Sequence, residues 1–421
     1  MDKIIVEGGV PLRGTISVSG AKNAALPILA ATLLTEEKCV IRNVPNLRDV
    51  STMIKILRSL GARAVMEGDR VVVEAKNCRG FTASYKLVST MRASICVLGA
   101  LLAKQKQARV SMPGGCVIGQ RPVDLHIKGL RALGAKIKIE HGYIVAEGKR
   151  LRGANIFLGG AYGSSVLATG NVLMAAVLSK GRTRIENAAC EPEIYDLASF
   201  LIKMGAKIKG HGTPMIEIEG VNRLKGANHS IIPDRIEAGT HILAAAITNG
   251  DLTIEGARAE HLSALIDKLE QIGIKILRKE NAIQVRRKSA LVKAIDITTL
   301  PYPGFPTDMQ AQMMALATVS DGISVLTEKI FPDRFMHVSE LNRMGADVFL
   351  EGASAIVKGV KKLSGAPVMA SDLRASAALV LSGLVARGKT EISRIYHLDR
   401  GYEKIEEKLM KVGAKIKRVK E

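Results

Sequence analysis

The stretch LGAKIKIEHGYIVAEG, residues 133–148, places a glycine between an amphipathic segment and two short runs of alternating apolar and polar residues. Glycine at the end of an amphipathic helix predicts a C-cap, because glycine adopts the left-handed conformation that ends the last turn. The alternation that follows predicts a hairpin of two strands. Similar phrases occur at residues 60–75, 204–220, 272–287, 344–359 and 412–421.

The glycines of these six phrases are almost evenly spaced. They are Gly61, Gly134, Gly205, Gly273, Gly345 and Gly413, separated by 73, 71, 68, 72 and 68 residues. Each is preceded by an alanine-rich segment that is apolar on nearly every side, then a short strand and an amphipathic segment. A helix that is apolar all round is buried on all sides. The sequence therefore predicts a sixfold α/β repeat with sheets wrapped around buried helices.

The second copy is longer than the others. From Val110 in its first strand to Gly134 it has 24 residues, whereas the other copies have 19 to 21 over the same interval. The extra residues fall in PGGCVIGQRP, residues 113–122, where Cys116 lies among three glycines. Insertions in one repeat map to loops, and loops held by a rigid frame carry binding and chemistry.

Length and composition limit the class of protein. The 421 residues predict two domains, because one ordinary core does not grow this large. No apolar stretch reaches the roughly 18 residues that cross a bilayer, and the first residues lack a secretory signal, which predicts a cytoplasmic protein without membrane contact. The five cysteines are odd in number and lack close pairs, so free thiols are expected rather than bridges or a metal site.

The formal net charge of +21 favours anionic partners. Aromatic residues make up 3% of the chain, with no tryptophan, so the stacking platform typical of single-strand binding is missing. Small phosphorylated substrates fit this composition better than nucleic acid. None of the eight histidines has metal-ligand spacing; His126 and His337, beside charged loops, either orient site groups or have a structural role.

Charged and polar residues stand at the start of several buried helices. They are Lys22 and Asn23 in the first copy, Arg92 in the second, Asp308 in the fifth, and Asp372 and Arg374 in the sixth. Helix N-termini already favour anions, so cations placed there indicate a polyanionic ligand rather than helix stabilisation. The two aspartates have an alternative role as helix caps.

Three arginines precede the second helix of their copies, namely Arg121, Arg334 and Arg400. The planar guanidinium suits carboxylate and phosphate, although any one arginine beside an acid could also form a surface ion pair. Cys116 has the alternative of a small buried hydrophobe, which suits Cys39 and Cys96. The glycines around Cys116 and the nearby Arg121 favour a reactive thiol instead.

Eight motifs together resemble those of the UDP-N-acetylglucosamine 1-carboxyvinyltransferases, a family of enolpyruvyl transferases. They are SGAKNAALP, TMRAS, PGGCVIGQRPVDLH, ENAACEPEI, PYPGFPTDMQAQ, FPDRFMHV, ASDLRASA and YHLDRGYEKIEEKL. The resemblance runs from Lys3 to the C-terminus. It implies two inside-out α/β barrel domains of three repeat units each, over residues 22–232 and over 1–21 with 233–421, and an active site in the cleft between them.

The resemblance also implies a reaction. The enolpyruvyl group of phosphoenolpyruvate passes to the 3-hydroxyl of UDP-N-acetylglucosamine with release of phosphate, the first committed step of peptidoglycan synthesis. These two small molecules are the implied partners, and no metal or organic cofactor is implied. The sequence does not indicate an oligomeric state.

Matching the motifs gives each residue an implied role. Cys116 is the general acid, which thiol alkylators such as fosfomycin would block, and Asp308 is the base toward the sugar hydroxyl. Lys22 and Arg400 are also implied to be catalytic, and Asp372 is implied to be a supporting residue. The residues implied to bind phosphoenolpyruvate are Lys22, Asn23, Arg121, Arg334, Arg374 and Arg400. Those implied to bind UDP-N-acetylglucosamine are Arg92, Arg121, Pro122, Val123, Asp124, Leu125, Ser165, Val166, Asp308 and Ile330.

One segment departs from the family pattern. Where the family has a lysine followed by V-S-V-G-A-T, this chain reads GSSVLATGN, with Gly163 in place of the lysine and Leu167 in place of the glycine. The departure predicts changed contacts to the diphosphate of the nucleotide sugar.

Three alternative functions stay open. One is a 5-enolpyruvylshikimate-3-phosphate synthase-like transferase, against which the cysteine loop argues. Another is a basic RNA-end-binding protein on a related scaffold, which lacks an obvious histidine nucleophile here. The third is a catalytically silent paralogue that binds nucleotide sugar.

Overall fold

The computed structural model describes residues 2–89, 91–112, 123–287 and 291–420. The α-helices in these residues are α1 (Lys22–Ala31), α2 (Arg48–Ser59), α3 (Tyr85–Val88), α4 (Val97–Gln105), α5 (Asp124–Ala132), α6 (Val166–Ala176), α7 (Pro192–Lys203), α8 (Arg235–Ile247), α9 (Ser263–Gln271), α10 (Gln310–Ala317), α11 (Val338–Arg343), α12 (Leu373–Gly383) and α13 (Ile405–Lys411). The 3₁₀ turns are Thr32–Leu34, Arg92–Cys96, Ala259–Leu262, Thr307–Met309 and Ile395–Arg400.

The strands are short and numerous. They are β1 (Asp2–Glu7), β2 (Arg13–Ser17), β3 (Cys39–Arg42), β4 (Arg63–Glu67), β5 (Arg70–Glu74), β6 (Thr82–Ala83), β7 (Gln107–Ser111), β8 (Lys136–Glu140), β9 (Tyr143–Glu147), β10 (Asn155–Phe157), β11 (Gly159–Gly160), β12 (Gly163–Ser164), β13 (Arg182–Glu186), β14 (Lys207–Lys209), β15 (Met215–Glu219), β16 (Asn228–Ser230), β17 (Asp251–Glu255), β18 (Ile274–Lys279), β19 (Ala282–Arg287), β20 (Ile297–Thr298), β21 (Ile323–Thr327), β22 (Asp347–Glu351), β23 (Ser354–Lys358), β24 (Pro367–Met369), β25 (Lys389–Ser393) and β26 (Lys415–Lys420).

The chain divides into two compact units. The continuous unit contains the described residues between 20 and 232, and the two-segment unit contains residues 2–19 with those from 233 to 420. Each unit has three copies of the repeat and its own hydrophobic core. Within the described residues, no helix is both long and apolar enough to span a membrane.

Six sheets of four strands share one strand order. Their orders are β16-β3-β5-β4, β6-β7-β9-β8, β10-β13-β15-β14, β2-β17-β19-β18, β20-β21-β23-β22 and β24-β25-β1-β26. In each, the first pair is parallel and the other two pairs are antiparallel. The antiparallel strands are those that the alternating pattern predicts. The parallel edge strand was not predicted from the sequence.

The edge strands show how each unit closes. In four sheets, the parallel edge strand pairs with the strand that follows the next buried helix along the chain. In the other two sheets, each edge strand pairs instead with a strand that is distant in sequence. β2 precedes α1 along the chain but pairs with β17, and β16 precedes α8 but pairs with β3. In the sixth copy, β1 pairs with β26, so that Asp2 lies opposite Lys420. Every copy therefore completes its sheet inside its own unit.

The alanine-rich segments form the buried helices that their apolar sequences predict. α1, α4 and α6 pack in the continuous unit, and α8, α10 and α12 in the other. α4 and α6 approach so closely that a Cβ atom on Gly99 would lie 2.1 Å from the carbonyl oxygen of Asn171. The Gly99 N–H donates to the Asn171 side-chain oxygen at 2.7 Å. The prediction of an inside-out α/β fold is confirmed.

The six repeat glycines are the helix caps that the sequence predicts. All have φ between +85° and +102°, a left-handed conformation that side chains other than glycine rarely adopt. In the first copy, the Gly61 N–H donates to the Arg58 carbonyl at 3.0 Å and the Ala62 N–H to the Leu57 carbonyl at 3.1 Å. These two bonds satisfy carbonyls that the helix end would otherwise leave unpaired.

Candidate functional site

Asp308 lies at the start of the buried helix of the fifth copy, in the 3₁₀ turn before α10. Its carboxylate does not cap that helix. It accepts hydrogen bonds at 2.9 Å from Nη1 of Arg334 on Oδ1 and at 2.9 Å from Nη2 of Arg374 on Oδ2. Arg374 belongs to the first turn of α12, so residues of the fifth and sixth copies meet at this carboxylate.

The two arginines are buried, but the aspartate is partly open. The side chains of Arg334 and Arg374 are 6% and 2% exposed, whereas that of Asp308 is 27% exposed. The surface ion pair, an alternative that the sequence left open for Arg334, is therefore wrong for that residue. Burial alone would raise the pKa of Asp308, but Arg374 and Arg334 together hold it well below its usual range. Asp308 is a carboxylate with an accessible face.

Arg374 has hydrogen-bonding capacity left over. Within the described part of the chain, its buried Nε and Nη1 atoms have no hydrogen-bond partner of good geometry, although the guanidinium also interacts with the Tyr402 side chain. Its guanidinium carbon lies 5.5 Å from the centre of the Tyr402 ring, a cation–π distance. A buried donor without a partner costs free energy, so these N–H groups favour an anionic ligand that can accept from them.

Tyr402 and Gln312 form hydrogen bonds next to this cluster. The Tyr402 hydroxyl is 2.8 Å from the Thr240 hydroxyl, and Gln312 Nε2 donates to the Tyr402 hydroxyl at 3.1 Å. Gln312 Nε2 also donates to the Asp308 carbonyl at 3.0 Å. Neither Tyr402 nor Gln312 is predicted from the sequence to have a role. Both lie inside motifs that carry the resemblance, which was the available signal.

Glu328 is a further residue that the sequence analysis missed. It follows β21, is fully buried, and accepts from the Thr307 hydroxyl at 2.9 Å. Thr307 directly precedes Asp308. A charged residue at the end of an apolar strand was the only signal for Glu328, and it lies in none of the quoted motifs.

Asp372 has the alternative role that the sequence analysis left open. Its side chain accepts from the backbone N–H groups of Arg374 at 2.8 Å and Ala375 at 3.2 Å, so it caps α12. Arg400 ends the 3₁₀ turn Ile395–Arg400 and is half-buried, and Ile330 lies half-buried in the loop after β21. The structure thus brings Asp308, Arg334 and Arg374 together and places Asp372 beside them as a cap.

In the continuous unit, Lys22 begins α1 and is buried. Its Nζ lies 3.3 Å from a carboxylate oxygen of Asp49, which is also buried, in the first turn of α2. Asn23 follows and is half-buried. Arg92 begins the 3₁₀ turn before α4. The predicted cations of this unit therefore lie at helix starts, as the sequence indicates.

His126 and His337 are buried structural residues rather than exposed acid–base groups. Burial and Arg92 lower the pKa of His126 to about 3. Its Nδ1 accepts from the Asn171 side-chain amide at 2.9 Å, which ties α5 to α6. Burial lowers the pKa of His337 to about 4, with Arg334 acting in the same direction against Asp372. Both rings are neutral near pH 7.

Three residues implied to bind the nucleotide sugar, Val123, Asp124 and Leu125, lie at the start of α5. Val123 is buried just before the helix, Asp124 is exposed at its first position, and Leu125 follows. Cys116, Arg121 and Pro122 lie outside the described residues. Ser165 caps α6, its hydroxyl accepting from the Ala168 N–H at 3.3 Å, and Val166 begins the helix.

The departure at Gly163 coincides with a small hairpin. β11 pairs with β12, and Gly163 has φ of +91°, which disfavours any side chain at that position. A Cβ atom on Gly160 would lie 3.2 Å from Leu125, so the hairpin packs against a residue implied to bind the nucleotide sugar. Leu167 is half-buried in the first turn of α6. A lysine at residue 163 would be strained in this backbone.

The cysteines that the structure describes are free thiols, as predicted. Cys39, Cys78 and Cys96 are buried and Cys190 is partly buried. Burial raises the pKa of Cys39 to about 11 and that of Cys96 to about 12, so neither is a reactive thiolate. In the described part of the chain, no group of three or more His, Cys, Asp or Glu residues could hold a metal ion.

Comparisons with known proteins agree with the resemblance. The profile of EPSP synthase (3-phosphoshikimate 1-carboxyvinyltransferase) matches residues 6–409. The UDP-N-acetylglucosamine 1-carboxyvinyltransferase of Methylacidiphilum infernorum is 57% identical over 419 residues, covering 100% of this chain and 99% of the relative. That of Geobacter metallireducens is 57% identical over 421 residues, covering 100% of both chains.

Solved structures show the same fold. The enolpyruvyl transferase NikO from Streptomyces tendae matches with a TM-score of 0.90 at 23% identity, covering 99% of each chain. EPSP synthase from Acinetobacter baumannii matches with a TM-score of 0.73 at 19% identity, covering 100% of each chain. Sixfold repeat, helix caps and whole-length identity agree, and the chain belongs to the enolpyruvyl transferase family, among its UDP-N-acetylglucosamine 1-carboxyvinyltransferases.

Proposed function

We propose that this chain transfers the enolpyruvyl group of phosphoenolpyruvate to the 3-hydroxyl of UDP-N-acetylglucosamine and releases phosphate. Relatives named for this activity are 55–57% identical over essentially the whole chain. One structural observation supports the proposed reaction. The buried guanidinium of Arg374 holds Asp308, and its Nε and Nη1 atoms have no hydrogen-bond partner of good geometry among the described residues, which suits the carboxylate of phosphoenolpyruvate.

Asp308 is the proposed base toward the sugar hydroxyl. In the free protein its pKa is held well below the usual range, so it is ionised but weakly basic. A substrate carboxylate on Arg334 and Arg374 would share their positive charge. That raises the proton affinity of Asp308 at the moment when the hydroxyl must lose its proton. The hydroxyl oxygen then bonds to C2 of phosphoenolpyruvate, and the electron pair of the double bond takes a proton at C3 from Cys116.

Loss of phosphate and of one C3 proton from this tetrahedral adduct restores the double bond in the product. Lys22, Arg121 and Arg400 are proposed to hold the phosphate, with Asn23 beside them and Asp372 supporting Arg374. The proposed nucleotide-sugar residues are Arg92, Arg121, Pro122, Val123, Asp124, Leu125, Ser165, Val166, Asp308 and Ile330. The same proposal places the chain in peptidoglycan synthesis and gives it roles in cell shape and cell division. It also includes a cytoplasmic location and inhibition by fosfomycin.

The test is phosphate release from phosphoenolpyruvate with UDP-N-acetylglucosamine, shikimate 3-phosphate or neither as acceptor, before and after thiol alkylation. We expect release only with the nucleotide sugar and its loss on alkylation. Cys116→Ala should abolish turnover, and Cys96→Ala, which removes a buried thiol, is the matched control. Release with shikimate 3-phosphate in place of the nucleotide sugar would overturn the proposed acceptor. Unchanged turnover in Cys116→Ala would overturn the role of the thiol.

A further inference from the structure

Glu328 is an unusual residue for the position it occupies. It is fully buried, and its carboxylate forms four hydrogen bonds, accepting on Oε1 from the Thr299 hydroxyl at 2.6 Å and from the N–H groups of Ile330 at 2.8 Å and Phe331 at 3.0 Å. The fourth comes from the Thr307 hydroxyl to Oε2 at 2.9 Å. Burying a charged group is costly unless it is hydrogen-bonded in this way.

The Thr307 hydroxyl links Glu328 to the arginine at the site. Arg334 Nη1 lies 3.0 Å from the Thr307 hydroxyl oxygen and 2.9 Å from Asp308 Oδ1. A guanidinium can only donate, so the hydroxyl oxygen accepts from Arg334. Its single hydrogen is then free to donate, and the carboxylate of Glu328 accepts it. Arg334 therefore donates in two directions, to Asp308 on one side and to Thr307 on the other, and Thr307 passes the direction on by donating to Glu328.

Glu328 also fixes the backbone that carries Arg334. Its Oε1 holds the N–H groups of Ile330 and Phe331, and the Arg334 N–H donates to the Phe331 carbonyl at 2.9 Å. The guanidinium lies 5.9 Å from the centre of the Phe331 ring. One buried carboxylate thus restrains Arg334 at its backbone through the loop and at its guanidinium through Thr307.

We propose that Glu328 and Thr307 are positioning residues that hold the Arg334 guanidinium where it meets the carboxylate of phosphoenolpyruvate. The inference rests on the proposed function and adds two residues to it. Neither side chain is assigned a contact with substrate. Their effect is to reduce the number of orientations that Arg334 must give up when the anionic substrate binds.

Thr307→Val is the decisive variant, because it removes the hydroxyl and preserves the shape of the side chain. We expect the KM for phosphoenolpyruvate to rise on the order of 10-fold, the effect of a hydrogen bond to a charged group, with the KM for UDP-N-acetylglucosamine within about twofold. Thr307→Ser keeps the hydroxyl and should restore the KM to within about threefold of the original. Thr327→Val is the control, since that hydroxyl bonds Ser354 on a neighbouring strand.

Glu328→Gln tests the other end of the chain of hydrogen bonds. Since both substitutions act through Arg334, the double variant with Thr307→Val should raise the KM little beyond the larger single effect. Equal effects of Thr307→Val and Thr307→Ser, or effects of Thr307→Val and Glu328→Gln that multiply, would overturn the inference. A purely structural role would lower stability without this separation of the two KM values.

A substrate-free measurement distinguishes this inference from the proposed function. Phenylglyoxal modifies arginine, and peptide mass spectrometry gives the rate at Arg334 alone. Thr307→Val should raise that rate by about threefold or more, and Thr307→Ser should leave it unchanged, because the hydroxyl restrains the guanidinium. Equal rates in all three proteins would overturn the positioning role, whichever acceptor sugar the enzyme uses.

Discussion

The two units share one frame but balance their charges differently. In the continuous unit, Lys22 pairs with Asp49, which lies 27 residues away in the same copy. In the two-segment unit, Asp308 joins Arg334 of its own copy to Arg374 of the next copy, 66 residues away. The first pair joins two helix starts of one copy. Pairing between copies makes a site that no single repeat contains.

The features of the frame recur in both units. His126 and His337 each lie eight residues before the capping glycine of their copy, at 134 and 345, and both are buried and neutral. Caps and apolar helices are therefore repeated with the architecture, whereas the cluster of Asp308, Arg334 and Arg374 belongs to two of the copies.

The largest expected effect comes from breaking the pairing between copies. Asp308→Ala leaves two buried arginines without a counter-ion and should lower the free energy of unfolding of the two-segment unit by about 3–5 kcal/mol. Asp251→Ala removes the carboxylate of an exposed pair with Arg286 and should cost at most about 1 kcal/mol. Urea unfolding measures both. A loss below about 1 kcal/mol for Asp308→Ala would show that the two arginines find other partners.

The next largest effect should come from substituting a glycine at the closest contact between buried helices, and it should differ between the two units. Gly99→Ala places a Cβ 2.1 Å from backbone and should cost about 1–3 kcal/mol. In the two-segment unit, a Cβ on Gly239 meets the flexible end of Met309 at 2.9 Å, so Gly239→Ala should cost less. Thermal unfolding of both variants checks the order. The opposite order would mean that α4 and α6 separate easily.

A pH titration of stability tests the two equivalent histidines. Their folded pKa values, about 3 and about 4, lie below the unfolded value of 6.5. The unfolded state therefore binds more protons as the pH falls below 6.5, and stability is lost from there down to the folded pKa. Each histidine should account for about 2 kcal/mol lost between pH 7 and 5.

His126→Gln and His337→Gln should each flatten this loss by a similar amount. His141→Gln, in an exposed hairpin turn, is the control. Urea midpoints at several pH values give the slopes. A steep slope that survives in both variants would assign the acid sensitivity to other groups.

The smallest expected effect comes from the helix caps, which should contribute equally to the stability of the two units. Gly205→Ala and Gly345→Ala place a side chain in a left-handed backbone with open space around it, so each should cost about 1–2 kcal/mol and the two costs should be nearly equal. Asn at either position should cost less than Ala. Clearly unequal costs would show that the caps contribute differently in the two units.

Much of the frame is predictable from the sequence, because its signals are local. A capping glycine and an alternating hairpin are encoded within about 16 residues, so spacing alone reveals six copies. The parallel edge strands are not predictable in this way. β6 and β20 have two residues each, and the exchange of β2 and β16 depends on closure of the units.

The site is predictable residue by residue but not as an arrangement. The motifs predict that Asp308, Arg334 and Arg374 bind substrate, yet 26 and 66 residues separate Asp308 from its two partners. Their mutual pairing arises only when two helix starts meet in the folded unit. Thr307 and Glu328 were not predicted, because the role of a hydroxyl or a buried carboxylate depends on hydrogen-bond partners that only the folded structure shows.

The pairing of β1 with β26 determines when β1 can join its sheet during synthesis. Residues 2–7 are synthesised about 380 to 420 residues before their partners at 389–392 and 415–420. At about 5–20 residues per second, β1 waits roughly 20–80 s with both edges unpaired. The continuous unit acquires all its strands in the meantime. During this interval the continuous unit can fold, while the backbone N–H and C=O groups of β1 stay unpaired, and β1 is the segment that a chaperone would need to shield.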